Sequence, residues 1–404
     1  MKCGLLGRKL GHSYSPQIHS HFGSYSYDLF QLEPNDLAQF LLHKDFTGLN
    51  VTMPYKKAVI PYLDALSPDA ERLGAVNTIV RQGHKLIGHN TDYAGFRSMV
   101  QKSGLSPAGK KCLVLGSGGA SNTACAVLEE LGAEVVVISR QGDNNYENLH
   151  LHRDAAIIVN TTPVGMYPNC GDSPISLAQF PKAEGVLDLI YNPARTALLL
   201  EAEALGISSM NGLWMLVAQA KAAAELFSGH HIPDSKIADV YRILQRQMEN
   251  IVLIGMPGCG KSTVGKLVAL RCGKEFVDAD CEIEKIAGKS IPAIFAQDGE
   301  DAFRALETKV LQDLGMKSGL VIATGGGCVT RKENYSLLHQ NGRIFCLQRD
   351  LEKLPTIGRP LSMVVPPEEL YRQRKPLYEA FADRSIDNNG AVEATAAAIA
   401  GEYL

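Results

Sequence analysis

Apolar positions fall into short runs separated by helical patterns along almost the whole chain. From residue 1 to about 98, "KCGLLG", "TGLNVTM", "NTIVRQ" and "HKLIGHN" read as strands, while "SPQIHSHFGSY" and "PNDLAQFLLHK" carry helical spacing. From about 109, "GKKCLVLGSGGASNTACAVLEELGAEVVVISRQ" predicts strand, glycine turn, helix and strand, with further strands at "AAIIVNTT" and "GVLDLIYN". "GLWMLVAQAKAAAELFSG" and "DSKIADVYRILQRQM" read as amphipathic helices that end just before Asn250. At 251–266, "IVLIGMPGCGKSTVGK" begins again with an apolar strand, a glycine-rich loop and a helix opening on Lys261, Ser262 and Thr263. Strands alternating with helices predict an α/β protein, and the restart predicts a domain boundary near 248.

Composition narrows the partners. A chain of 404 residues holds two to three domains at about 100–200 residues each, and 45% hydrophobic with 21% charged residues is ordinary for globular proteins. A net charge of −3 without a long Lys/Arg run leaves no electrostatic footprint for nucleic acid or an anionic membrane, so small molecules are the expected partners. "MKCGLLGRKLGHSYSP" has no apolar signal-peptide core, and no apolar run approaches the roughly 18 residues of a membrane span, which predicts a cytoplasmic protein. Nine cysteines without a C-x-x-C pair predict reduced thiols rather than disulfides or zinc. The histidines at 19 and 21, 150 and 152, and 230 and 231 lack acidic or cysteine partners at ligand spacing.

Two glycine loops carry the first chemistry. Gly116, Ser117, Gly118, Gly119 and Ala120 stand between a strand and a helix, with Ser121 at the third small position. That context fits a pyrophosphate on a helix N-terminus. At the tip of the next strand, where an NAD enzyme carries an acid for the ribose, stand Ser139 and Arg140, and a cation there suits the 2′-phosphate of NADP. The second loop, Gly255 to Ser262, fits G-x-x-x-x-G-K-[ST] completely. Backbone N–H groups of Gly258, Cys259, Gly260, Lys261, Ser262 and Thr263 are expected to cradle ATP phosphates, with Lys261 on their outer oxygens and Ser262 on Mg²⁺. The loop alone leaves the acceptor open.

"GHSYSP" (11–16), "NVTMPYK" (50–56), "GAVNT" (74–78), "GHNTDYAGF" (88–96) and "GLWMLVAQA" (212–220), in that order, resemble the shikimate dehydrogenase family over residues 1–248. The resemblance implies a two-lobed module with a Rossmann NADP domain, reducing 3-dehydroshikimate to shikimate with NADPH. It implies Lys56 as the proton carrier and Asp92 as the group holding the substrate hydroxyl and the ammonium. Ser13 and Ser15 would bind the carboxylate, and Thr52, Asn77, Tyr191 and Gln219 would ring the other oxygens, with Asn50 and Asn90 as additional contacts and Gly212 on the cofactor side. His89 stands where the family usually carries an acid. After Arg140, "QGDNNYENLHLHRD" offers no second clear 2′-phosphate contact, so a relaxed cofactor preference is expected.

"FVDADCEIEK" (276–285), "DAFRALE" (301–307), "ATGGG" (323–327), "GRPL" (358–361) and "RKPLYE" (374–379) resemble the shikimate kinase family over 250 to about 404. The resemblance implies a P-loop module with a parallel sheet in which Asp280 orients or deprotonates the acceptor hydroxyl. Arg304 and Arg374 would clamp its carboxylate, and Gly325, Gly326 and Gly327 would let the backbone approach the ring, with Gly326 in contact. Arg359 would close a lid on ATP, and Asp278 would order the metal's waters. The segment 351–369 lacks the extra arginine that relatives often stack on adenine, and Asn388 and Asn389 stand where an arginine commonly meets the base.

Together these expectations describe a bifunctional enzyme of aromatic amino acid biosynthesis. Residues 1–98, completed by helices of about 213–248, would bind the dehydrogenase substrate, 99–212 would bind NADP, and 249–404 would form the kinase. The alternatives are a quinate-utilising NAD dehydrogenase joined to the same kinase, or one module kept as a ligand sensor. Oligomeric state is not legible.

Overall fold

The computed structural model describes residues 1–11, 13–43, 45–354 and 366–403. The chain folds as α/β in two units. One comprises Met1–Met166, Gly171–Tyr191 and Glu201–Ile243; the other comprises Tyr167–Cys170, Asn192–Leu200 and Leu244–Leu404.

The first unit contains two sheets. β1 (Lys2–Gly7), β2 (Ser26–Gln31), β3 (Gly48–Val51), β4 (Ala65–Leu66), β5 (Thr78–Gln82) and β6 (Lys85–His89) lie in the order β2-β1-β3-β5-β6-β4. β5 runs antiparallel to β3 and β6, and the remaining pairings are parallel. β3, "GLNV", is buried along its whole length. A Cβ on its Gly48 would sit 2.1 Å from the ring of Phe227 on the helix Leu213–Ser228, so helix and sheet meet in close contact there. The second sheet joins β7 (Lys111–Leu115), β8 (Glu134–Ile138), β9 (Ile157–Asn160), β10 (Gly185–Asp188) and β11 (Ser208–Met210) in the all-parallel order β11-β10-β9-β7-β8.

In the second unit, β12 (Asn250–Ile254), β13 (Glu275–Asp278), β14 (Leu320–Ala323), β15 (Gly342–Gln348) and β16 (Arg384–Asp387) form a parallel sheet in the order β13-β14-β12-β15-β16. Every residue of β12 is buried, which its unbroken apolar sequence requires of a strand covered on both faces. The chain leaves β12 toward β13 on one side and returns to β15 on the other, so a topological switch point lies at the carboxyl end of β12. The helical stretch Ile291–Gly315 is broken by Gly299, at φ +84°, and its second part carries Arg304 and Glu307. No helix among the described residues is long and apolar enough to cross a membrane. All nine cysteines are free thiols.

Candidate active sites

A cavity of about 490 Å³ in the first unit gathers residues from distant parts of the sequence. Ser13, Ser15, Thr52, Lys56, Asn77, Asp92, Tyr191, Gly212 and Gln219 all line it, as does Asn50. Lys56 Nζ lies 2.6 Å from Asp92 Oδ2. Asp92 occupies the first turn of the helix Thr91–Ser103, where the helix dipole favours a carboxylate. Asn90 is not part of the lining: its Oδ1 caps that helix by accepting from Asp92 N–H, and its Nδ2 donates to Ala75 O. Its role is therefore to hold Asp92 in place. His89 is partly buried, and burial lowers its pKa from the ordinary value, so it brings no charge at neutral pH. Burial raises the pKa of Tyr191, which packs edge-on against Tyr14 at 6.3 Å.

Lys9 and Tyr14 also line this cavity and are not anticipated from the sequence. Lys9 makes no ion pair or hydrogen bond among the described residues, and it stands near the serines read as carboxylate ligands. The only sequence signal is a cation just ahead of "GHSYSP".

The glycine turn after β7 separates two roles. At Gly116 φ is +106° and a Cβ would meet Thr161 Oγ1 at 2.9 Å, so packing demands glycine. At Gly118 and Gly119 a Cβ would meet nothing within 4 Å. These two, with Ser117 and Ala120, are exposed at the start of the helix Gly119–Glu130, the setting that suits a pyrophosphate. Ser121 turns inward and is buried. Ser139 and the exposed Arg140 follow β8, and Arg140 has no ion pair among the described residues. Gly212 answers a backbone approach, since its Cβ would lie 2.1 Å from Leu189 O.

In the second unit a cavity of about 600 Å³ opens at the carboxyl end of β12. Gly258, Gly260, Lys261, Ser262 and Thr263 line it with Asp278, Asp280, Arg304, Gly325, Gly326, Gly327 and Arg374. Gly255, Gly258 and Gly260 all have positive φ, as the tight loop requires. Lys261 Nζ folds over the loop, donating to Gly255 O at 2.9 Å and Met256 O at 3.1 Å. Cys259 is buried, and its N–H is already given to Met256 O, which leaves the neighbouring amides to face a phosphate. Ser262 Oγ donates to Asp278 Oδ2 at 2.6 Å, a pair of hard oxygen donors of the kind that suits Mg²⁺. Arg359 lies outside the described residues.

Asp280 Oδ1 and Glu307 Oε1 are buried without a hydrogen-bond partner among the described residues. Burial pushes the Asp280 carboxyl up to about 6, opposed by Lys261 and reinforced by Asp278 and Glu307. Burial also raises Glu307, against the pull of Arg304 at 2.7 Å. Arg374 Nη1 donates to Gly326 O at 3.0 Å. Both arginines are nearly fully buried rather than solvated.

The three glycines answer a different constraint from the one expected. A Cβ on Gly325 would lie 2.7 Å from Glu307 Oε1 and 2.8 Å from Asp280 Oδ1, on Gly326 2.6 Å from Pro257, and on Gly327 2.3 Å from the Arg304 guanidinium. Side chains of the site, rather than a ligand alone, need that space. Asn388 is buried, donates to Cys259 O at 2.6 Å and braces the loop. Asn389 accepts from Asp350 N–H at 2.8 Å. Glu307, Phe295, Phe303 and Arg349 line the cavity without being singled out by the motifs. Glu307 is signalled by its i, i+3 spacing from Arg304. Arg349, just before the segment 351–369, has a buried Nε without a partner among the described residues, and its Nη1 lies 3.8 Å from where a Gly260 Cβ would be.

Residues 5–79 match the family model for the shikimate dehydrogenase substrate binding domain, and residues 257–403 match the model for shikimate kinase. A shikimate dehydrogenase (NADP(+)) of Clostridium perfringens is 34% identical over 264 residues, covering 60% of this chain and 97% of that protein. The solved shikimate 5-dehydrogenase of Thermus thermophilus, in complex with NADP(H) and shikimate, is similar with a TM-score of 0.55 at 32% identity, over 60% of this chain and 98% of that one. The quinate dehydrogenase of Corynebacterium glutamicum, in complex with NAD, has a TM-score of 0.55 at 28% identity over 60% and 98%.

Proposed function

The chain belongs to the shikimate dehydrogenase family and carries a shikimate kinase domain, and from that premise we propose that it makes shikimate in its first unit and phosphorylates it in its second. The first reaction is reduction of 3-dehydroshikimate with NADPH; the second is transfer of the ATP γ-phosphoryl group to give shikimate 3-phosphate. The observation that carries this reading is that each cavity joins proton-handling side chains to a nucleotide loop: Lys56 and Asp92 with Ala120 in one, Asp280 with Lys261 in the other.

NADPH supplies the hydride. As it adds to the ketone, negative charge grows on the carbonyl oxygen, and Lys56 gives that oxygen its proton while Asp92 holds the ammonium and a substrate hydroxyl. Ser13 and Ser15, with Lys9 nearby, suit the substrate carboxylate, and Thr52, Asn77, Tyr191 and Gln219 suit its other oxygens. Gly116 to Ala120 would receive the pyrophosphate, with Ser139, Arg140 and Gly212 on the cofactor side. In the kinase the shikimate hydroxyl oxygen bonds to the γ-phosphorus, its proton passes to Asp280 and ADP leaves. Arg304, Gly326 and Arg374 hold the acceptor, Lys261 holds phosphate oxygens, and Ser262 and Asp278 would hold Mg²⁺.

The test is to incubate the pure protein with 3-dehydroshikimate, NADPH and Mg-ATP and identify the products. Shikimate 3-phosphate, NADP⁺ and ADP in equal amounts are expected; consumption of NADPH alone, or of ATP alone, would remove one half of the proposal. A second reading, an NAD-dependent quinate or shikimate dehydrogenase beside the same kinase, is favoured by the absence of any Lys or Arg from residues 141–152, which leaves Arg140 without a second cation for a 2′-phosphate. Faster turnover with NADH than with NADPH, and oxidation of quinate, would select that reading.

A further inference from the structure

Behind the first cavity a string of polar side chains leads to Asn77, and the proposed chemistry gives no part to its members Tyr27, Thr78 and Thr91. Tyr27 OH donates to Asn50 Oδ1 at 2.7 Å, and Asn50 Nδ2 donates to Thr78 Oγ1 at 3.1 Å. Thr78 Oγ1 donates in turn to Asn77 Oδ1 at 3.0 Å. Asn77 Oδ1 also accepts from Thr91 N–H at 2.7 Å and lies 3.2 Å from Thr91 Oγ1. Asn50, Asn77, Thr78 and Thr91 are all buried.

The direction of the string is set by backbone groups, which cannot exchange roles. An amide N–H only donates, so the Asn77 atom facing Thr91 N–H is the oxygen. A carbonyl only accepts, so the Asn50 atom at 3.5 Å from Asn77 O is the nitrogen. With Asn50 Nδ2 occupying a lone pair of Thr78, the Thr78 proton is free to point at Asn77. Tyr27 keeps its proton throughout, because burial raises its pKa well above the ordinary value. Reversing the Asn77 amide would set its N–H₂ against Thr91 N–H and leave buried donors unmatched, which native structures avoid.

We infer that Tyr27, Thr78 and Thr91 are positioning residues that lock Asn77 so that it presents its N–H₂ group, always as a donor, to the substrate of the first cavity. Asn77 Nδ2 has no partner among the described residues, and Asn77 lines the cavity. The lock is tied to the reacting groups at both ends: Val76 N–H donates to Lys56 O at 2.7 Å, and Thr91 precedes Asp92. This inference rests on the reading of that cavity as the shikimate site.

The experiment measures shikimate oxidation by NADP⁺ in the full-length chain and in Tyr27→Phe, Thr78→Val, Thr78→Ser, Asn77→Ala and the Asn77→Ala/Thr78→Val double variant. Failure of the unaltered chain to oxidise shikimate would overturn the reading itself. Given that activity, Thr78→Val should raise the KM for shikimate roughly 10-fold or more, as expected for a buried acceptor and donor left unmatched, with the KM for NADP⁺ unchanged. Tyr27→Phe should act in the same direction but less, and Thr78→Ser should restore most of the loss. Because Thr78 acts through Asn77, the double variant should be no worse than Asn77→Ala alone. Additive losses, or a parallel rise in the KM for NADP⁺, would reduce the string to ordinary packing and overturn the inference. If Thr78→Val does not fold, Tyr27→Phe decides: an unchanged KM for shikimate rejects the lock.

Discussion

Asp280 loses stability through its burial and gains reactivity. Its carboxyl titrates at about 6 instead of 3.8, mainly because burial disfavours the charge. Folding meets no penalty from this group below pH 3.8, and the penalty grows as the pH rises, becoming complete above about 6. Its ceiling is about 3 kcal/mol at neutral pH. Asp280→Asn should therefore abolish shikimate-dependent ADP release while raising Tm at pH 7.5, and the gain in Tm should vanish near pH 4; a lower Tm at pH 7.5 would contradict this. Kinase turnover in the unaltered chain should fall as the pH drops below about 6, as the base becomes protonated. Arg349 makes a second residue-scale case. Its guanidinium lines the second cavity with Nη1 beside the phosphate-loop residue Gly260, which suits it to a nucleotide phosphate, so Arg349→Ala should raise the KM for ATP about 10-fold with the KM for shikimate unchanged, as for loss of one charge-assisted hydrogen bond. An unaltered KM for ATP would remove it from the nucleotide site.

At the scale of elements, close packing of two helices sets the first cavity. The helices Thr91–Ser103 and Leu213–Ser228 meet at Gly95, where a Cβ would stand 2.9 Å from both Met215 O and Gln219 Cβ. Trp214 Nε1 donates across the same contact to Ser98 Oγ at 2.9 Å. One helix carries Asp92 in its first turn and the other carries Gln219, so their separation is also a dimension of the site. Gly95→Ala should destabilise the first unit by about 1–3 kcal/mol through overpacking and raise the KM for shikimate, because Gln219 must move. The KM for ATP should not change. An unchanged Tm together with an unchanged KM would mean that the helices can separate freely. The same reasoning accounts for Gly325, Gly326 and Gly327, where the sequence suggests room for a ligand and the fold uses that room for Glu307, Asp280, Pro257 and Arg304.

At the scale of the whole molecule, the product proposed for one unit is the substrate proposed for the other, and ketone reduction is reversible whereas phosphoryl transfer from ATP runs downhill. Lys56→Ala should stop ADP release from 3-dehydroshikimate, NADPH and Mg-ATP, and added shikimate should restore it. The unaltered chain should show a lag in ADP release as free shikimate accumulates; a zero lag would argue for direct transfer. What the sequence alone determined is local. The glycine loops at 116–120 and 255–262, the alternation of strand and helix, and the family motifs are contiguous, and contiguous residues suffice to specify a turn, a periodicity or a phosphate-binding loop. Tertiary structure decided what depends on residues far apart. Asn388 reaches the loop carbonyl of Cys259 across 129 positions, and Gln219 meets Thr91 across 128. Lys9, Tyr14, Glu307 and Arg349 join their cavities only when the strands and helices carrying them come together. Side-chain type and spacing cannot announce such neighbours, because burial, which raises Asp280 and holds His89 neutral, exists only once the chain has closed around them.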